Sequence, residues 1–433
     1  MWLRRDLLEE IKPFLKRKEF LSIVGPRQSG KSTFLEILQE YLIKKERVNK
    51  ESIKIVTFED RTALRQFEDD PVAFIRSYGV VEDGSLTYLM IDEFQYAKEG
   101  GQKLKLVYDT VKNIKIIVSG SSSLEIKAQT GKYMVGRILT FHLYPFHFGE
   151  FLRSKNKRLE KIYQENSGHV LQWLTGKRTT LAQGTDVFNA EMLKLYEQYC
   201  LWGGYPAVAL SKTDKERLKV LGDIYNNYVL KDIKGLLELA TDKNLHLLAQ
   251  YLATQTGNII VYHNLGQAAL LDFRQLKKHL NILEETYICQ TVSPFFTNRQ
   301  KELTKNPKIY FFDLGFRNFL IENMNALEKR SDAGAMVENV VFSRVNSVYG
   351  DDQRINFWRT KAGAEVDFIW RRGDVVVPIE VKFSPFADAK VPRGLISFID
   401  YFKPGKALVL TKNYWGKINN RETEILFAPV YYL

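Results

Sequence analysis

From residue 20 to about 145 the chain alternates short, almost wholly apolar runs with amphipathic stretches. FLSIV, SIKIVTF, LTYLMIDE, IKIIVSG and RILTFHLYP have the length and apolar density of strands. Between the first two, STFLEILQEYLIKK repeats Phe34, Leu35, Leu38 and Leu42 on one helical face. Apolar strands separated by helices predict a parallel sheet covered on both faces. Residues 153 to 185 are polar and basic and read as a connection. Helices dominate from about 188 to 290, broken by LWGGYPAVAL, whose glycines and proline predict a tight turn. FRQLKKHLNILEETYI sets Phe273, Leu276, Leu280, Leu283 and Tyr287 at helical spacing. With the strand-like ICQTVSPFF and KIYFFD after it, this stretch predicts a winged-helix module. From about 332, the helical AMVENVVFSRVNSVY precedes the strands INFWRT, AEVDFIW, VVVPIEVKF and ALVLT, with a further helix around GLISFIDYF.

Composition narrows the class. A chain of 433 residues exceeds one ordinary core, and its 45% hydrophobic and 26% charged residues suit a folded protein. It has no apolar run near the ~18 residues of a membrane span, so no membrane partner is expected. The acids and bases within MWLRRDLLEEIKPFLKRKEF argue against a secretory signal. Cys200 and Cys289 form no metal or disulfide framework, and the six histidines lack zinc-ligand spacing; a reducing, cytoplasmic setting is the expectation. The net charge of +12 points to an acidic partner, with nucleic acid first and general solubility as the alternative.

Two stretches carry chemistry. GPRQSGKST, comprising Gly25, Pro26, Arg27, Gln28, Ser29, Gly30, Lys31, Ser32 and Thr33, fits G-x-x-x-x-G-K-[ST] between a strand and a helix. Its glycines let backbone N–H groups wrap phosphates at the helix N-terminus; Lys31 would reach the β and γ phosphates and Ser32 would sit on Mg²⁺. TYLMIDEF delivers Asp92 and Glu93 at a strand's C-terminal end. Asp92 would hold Mg²⁺ and Glu93 would orient the attacking water, which favours ATP hydrolysis over nucleotide binding alone. Among Ser119, Ser121, Ser122 and Ser123, one hydroxyl could sense the γ-phosphate, or they could cap a helix. Arg137 could act as an arginine finger, on its own or a neighbouring subunit, or be a solvated, salt-bridged arginine.

The second stretch is GAEVDFIWRRGDVVVPIEVK. Residues two apart on a strand share a face, so Glu380 and Lys382 point together, and a hairpin could set Asp367 beside them with Glu338 added from the preceding helix. Carboxylates so grouped can hold Mg²⁺, and a lysine can orient water or stabilise charge on phosphate. An ion pair on a solvated strand is the alternative, and Pro378 suits an edge strand better than a central one. Arg274, Lys277 and Lys278 lie off the apolar stripe of their helix and could contact phosphates, or form a solvated face. Phe295, Phe296, Tyr310, Phe311 and Phe312 read as core.

GPRQSGKST, YLMIDEFQY, IIVSGSSS and Gly136-Arg137, followed by LYPFHFGEFL, resemble archaeal and bacterial AAA+-type ATPases with an additional nuclease-like C-terminal domain. The likeness continues through LWGGYPAV, YVLKDI, KIYFFDLGFRNFL and GAMVENVVF. The C-terminal stretch resembles the PD-(D/E)XK nuclease core, and especially archaeal Holliday-junction resolvases, with Glu338, Asp367, Glu380 and Lys382 on the metal-site pattern. Ser29 replaces a common aliphatic, and Ser32 replaces Thr. The resemblance implies an α/β protein: a P-loop AAA+-type parallel sheet at 1–150, a helical lid at 151–235, a winged helix at 236–330 and a restriction-endonuclease-like domain at 331–433. It further implies ATP and Mg²⁺ as cofactors, and a homo-oligomer, with a hexameric ring as one form. The expected function is ATP-linked cleavage or processing of branched, forked or broken DNA. A nucleotide-switched scaffold, or a DNA translocase with a non-cleaving tail, is the alternative.

Overall fold

The computed structural model describes residues 2–79, 86–121, 133–177, 179–226, 242–298, 302, 305–348 and 354–433. Ser122, Ser123 and the YVLKDI stretch lie outside them. The chain divides into two compact units: Met1–Pro145 with Glu285–Tyr287, and Phe146–Glu284 with Ile288–Leu433.

The first unit is built on five parallel strands: β1 (Phe20–Val24), β2 (Ile53–Thr57), β3 (Thr87–Asp92), β4 (Ile114–Gly120) and β5 (Ile138–His142), in the order β2-β3-β4-β1-β5. The apolar density of β3 and β4 follows from burial on both sides. Tyr88, Met90 and Ile117 pack with Leu21 and Ile23 of β1 and with Phe34, Leu35 and Leu38 of the helix Lys31–Lys44. Leu89, Ile91, Ile116 and Val118 face Phe58, Phe67, Phe74 and Phe94 on the other side. Parallel pairing puts every strand's C-terminal end on one edge, where the β1 and β3 turns carry the charged residues.

In the second unit, residues 153–185 differ from the connection expected. Lys157–Leu174 is a helix of 18 residues, capped by the Asn156 side chain, which accepts the Arg158 and Leu159 N–H groups. Its many charges are solvent-facing, while Leu159, Tyr163, Val170, Trp173 and Leu174 supply a buried face at three- and four-residue spacing. After β6 (Gly184–Thr185), the helices Asp242–Thr254, Tyr262–Ala269 and Phe273–Glu285 precede the antiparallel pair β7 (Cys289–Val292) and β8 (Lys308–Phe311). Leu276, Leu280 and Leu283 are buried as expected, but Phe273 is 64% exposed. Its ring instead meets Tyr262 edge-on, with the Lys277 ammonium over both rings.

The helix Ala333–Val348 leads into β9 (Arg354–Arg359), β10 (Glu365–Arg372), β11 (Val375–Lys382), the helix Arg393–Phe402, then β12 (Lys406–Thr411), β13 (Tyr414–Asn420) and β14 (Thr423–Pro429). The sheet order is β6-β13-β14-β12-β11-β10-β9. Strands β9, β10 and β11 are antiparallel neighbours, and β11, β12 and β14 run parallel. Leu395, Phe398 and Ile399 of the helix Arg393–Phe402 cover Val366, Ile369, Ala407, Val409, Ile425 and Phe427. Pro378 thus lies in a central strand. It faces Ile369 of β10, and pairing with β12 begins one residue later, at Ile379, so the missing N–H interrupts no ladder on that side.

Candidate functional site

The phosphate loop leaves β1 and enters the helix Lys31–Lys44 through two left-handed residues, Gln28 at φ 60° and Gly30 at φ 92°. Gly25 is required sterically, since a Cβ there would fall 2.1 Å from the Leu143 carbonyl oxygen. Lys31 is buried, and its ammonium donates to the Gly25 and Pro26 carbonyls at 3.1 and 3.0 Å. Burial lowers its pKa to about 8 despite the charges of Glu93 and Asp92. Ser32 is exposed and Thr33 half-buried at the mouth of the helix, while the Arg27 guanidinium reaches the Tyr96 hydroxyl at 3.5 Å. Ser29 is fully buried, and its Oγ has no partner among the described residues.

Asp92 ends β3, buried, and accepts the Ser119 hydroxyl of β4 and the Glu93 N–H at 3.1 Å. Glu93 sits in the left-handed region at φ 53°, a strained position for a side-chain-bearing residue. Its carboxylate accepts the Gln95 amide, and the same amide nitrogen lies 3.2 Å from Ser121 Oγ. Gln95 thus links the Glu93 carboxylate to the end of β4.

Arg5 had no signal in the sequence beyond its charge. Its buried guanidinium donates to the Ser29 carbonyl at 2.9 Å and to the Tyr144 carbonyl at 2.7 Å. It therefore ties the phosphate loop to the segment that follows β5. Arg137, by contrast, precedes the first residue of β5, at the N-terminal edge of the sheet. Five residues of strand rise, about 16 Å, separate that edge from the phosphate-loop edge. Arg137 pairs there with Asp109 at 3.4 Å and lies over the Tyr108 ring. It is not beside the phosphate loop of its own chain.

In the second unit, β10 and β11 bring three of the four C-terminal residues together. Asp367 Oδ2 accepts the Val381 N–H at 2.8 Å across the hairpin, and Lys382 Nζ lies 2.6 Å from Glu380 Oε1. The pairing of β10 with β9 shifts register between Val366 and Ile369, a bulge that falls on Asp367 and Phe368. Val366 and Ile369, three apart, consequently face the same core, and Asp367 is re-aimed relative to a regular strand. Glu380 is 4% exposed, and its Oε2 has no partner among the described residues. A cavity of about 580 Å³ opens over these groups, lined by Glu365, Asp367, Glu380, Lys382, Arg393 and Ser397 among others.

Glu338 comes from the helix Ala333–Val348 and is held by residues that sequence reasoning missed as partners. Lys308 Nζ lies 3.0 Å from its Oε1, and the Tyr310 hydroxyl donates to the same oxygen. Lys308 also pairs with Glu365 at 2.7 Å. Burial, then the charge of Asp367, pushes the Glu338 and Glu380 carboxyls well above their ordinary range; burial also raises that of Asp367. Burial disfavours the charged Lys308, but the carboxylates of Glu338, Asp367 and Glu365 outweigh it and raise its pKa. An excess of buried negative charge with one orphaned carboxylate oxygen suits a cation bound through oxygen ligands. Asp367 and Glu380 fit that requirement.

Residues 17–152 match the family model of an AAA domain. Residues 193–327 and 333–426 match two domains of unknown function, DUF8612 and DUF4143. An uncharacterized protein of Haemophilus influenzae is 24% identical over 439 residues, covering 98% of this chain and 97% of its own length. An uncharacterized protein of Methanocaldococcus jannaschii is 21% identical, covering 80% of this chain and 71% of its own. Among solved structures, the Walker-type ATPase of Pyrococcus abyssi is 13% identical with TM-score 0.40, covering 74% of this chain and 96% of that one. The Aeropyrum pernix Orc1 protein in complex with DNA is 12% identical with TM-score 0.28, covering 73% and 90%. The AAA match and the phosphate loop within it make residues 17–152 a P-loop ATPase domain, and the protein an ATPase. No helix among the described residues is long and apolar enough to cross a membrane.

Proposed function

We propose that this ATPase acts on DNA, coupling nucleotide binding and hydrolysis to Mg²⁺-dependent cleavage of branched or broken duplexes. The observation that carries the cleavage reading is the orphaned, buried Glu380 Oε2 beside Asp367, under a cavity that also admits Lys382 and Arg393. A bound Mg²⁺ would supply charge to a phosphodiester oxygen and a more acidic water. The chain's own contribution is positional. Asp367 and Glu380 would hold the ion, and Lys382, 2.6 Å from Glu380, would offset negative charge developing on phosphate. The order helix, three antiparallel strands, helix, parallel strand supports the resemblance to the PD-(D/E)XK core.

In the ATPase domain, Lys31 would leave the Gly25 and Pro26 carbonyls for the β and γ phosphates. Ser32 and Asp92 would hold Mg²⁺, and Glu93, steadied by Gln95, would take the proton of the attacking water. Arg137, remote from its own loop, is suited to reach a neighbouring copy, which calls for a homo-oligomer such as a ring. The three helices and the β7–β8 pair support a winged-helix reading, with exposed Arg274, Lys277 and Lys278 available to DNA phosphates.

The test uses labelled linear, forked and four-way-junction DNA with Mg²⁺ or Mn²⁺, with and without ATP, on wild type, Asp367→Ala and Lys382→Ala. Cleavage by wild type that both variants lose is the expected result. DNA binding without a cut under either metal would overturn the nuclease reading and leave the tail a clamp.

A further inference from the structure

The carboxylate cluster of the C-terminal site contains a cation of its own. Lys308 opens β8, outside the helix and strands that carry the four sequence-marked residues, and is 3% exposed. Its ammonium lies 2.7 Å from Glu365 and 3.0 Å from Glu338. Tyr310, two residues along the same strand and so on the same face, donates to the Glu338 oxygen that Lys308 also holds.

The charges can be counted. With every carboxyl ionised, as a bound cation requires, Glu338, Glu365, Asp367 and Glu380 face Lys308 and Lys382, and the two negative charges left over are what one divalent ion balances; Arg393, on the cavity wall, is exposed and screened by water. Arg359 approaches the outer oxygen of Glu365 at 3.6 Å but is half exposed, where water screens it. Among the described residues, the carboxylates left for an ion are Asp367, which accepts the Val381 N–H, and Glu380, whose Oε2 has no partner. Two-metal phosphodiester sites hold their ions about 3.5–4 Å apart. A second ion here would need Glu338 or Glu365, and Lys308 already holds Oε1 of each.

We propose that Lys308 is a built-in counter-cation standing in the place of a second metal, so that the C-terminal site binds a single divalent ion through Asp367 and Glu380. The inference rests on the metal-site reading given above. It makes Lys308 a positioning residue, and it makes the site composite, since the segment before the sheet completes it.

The test is a Mn²⁺ titration of the full chain without nucleotide, followed by calorimetry and by the electron paramagnetic resonance of free Mn²⁺. Wild type is expected to bind one ion, Asp367→Asn none, and Lys308→Met two, with folding of each checked by circular dichroism. Should Lys308→Met not fold, Lys308→Gln, which keeps a hydrogen-bonding head without charge, is expected to bind two. Two ions in wild type, with loss on Asp367→Asn, would overturn the role of Lys308 while leaving the metal site standing. One ion with unaltered affinity in the Lys308 variants would do the same. Absence of any Asp367-dependent ion in wild type would overturn the metal-site reading itself.

Discussion

The Arg5 guanidinium donates to the Ser29 carbonyl at 2.9 Å, joining the N-terminal helical segment to the middle of the phosphate loop. A second donation, to Tyr144 at 2.7 Å, makes Arg5 a clamp between two loops on the nucleotide-binding edge. Both carbonyls would lose a charged donor in Arg5→Met. Stability of the ATPase domain is expected to fall by about 1.5–3 kcal/mol, the range for hydrogen bonds to charged groups. A displaced loop should also lower ATP turnover by on the order of 10- to 100-fold. Thermal melts and steady-state ATPase assays check this, with Arg5→Lys expected to recover part of the loss. Unchanged turnover in Arg5→Met would show that the clamp serves folding alone.

Glu93 and Lys31 are expected to separate chemistry from binding. Glu93→Gln should hydrolyse ATP about 10²- to 10⁴-fold more slowly, the usual contribution of a positioned base, while still binding nucleotide. Lys31→Ala should lose affinity first. Nucleotide binding by fluorescence and phosphate release, measured together on both variants, decide the matter. Hydrolysis by Glu93→Gln at the wild-type rate would remove Glu93 from the reaction.

The raised carboxyl of Glu380 sets a pH dependence. Burial, reinforced by Asp367, moves it from 4.5 to about 7 in the folded protein. Between those values the folded state holds a proton that the unfolded chain releases. This contribution to stability is therefore full below about 4.5 and is lost as pH rises through about 7. Glu380→Gln should flatten that part of the profile, and Mg²⁺ should restore stability above pH 7 in wild type only. Melting midpoints across pH 5 to 8 provide the measurement. Identical slopes in wild type and variant would show that another group titrates.

Candidate chemistry set by chain neighbours was legible in the sequence. A strand, a glycine turn and a helix N-terminus must be contiguous to cradle phosphate, so GPRQSGKS announces itself, and Asp92 and Glu93 follow from one strand end. The alternation that puts Glu380 and Lys382 on one face is equally local. The helix Lys157–Leu174 was not legible as such, because five charged residues are interspersed with the five apolar ones that tertiary packing buries. Only the tertiary structure decided the partners of these groups. Arg5 reaches Ser29 and Tyr144 across 24 and 139 positions, and Lys308 reaches Glu338 across 30. The bulge at Asp367 depends on a register with β9 that no residue type announces. Periodicity reports which face a residue takes. Which distant charge a buried group meets depends on how the strands and helices pack, and burial then determines how strongly each charge is felt.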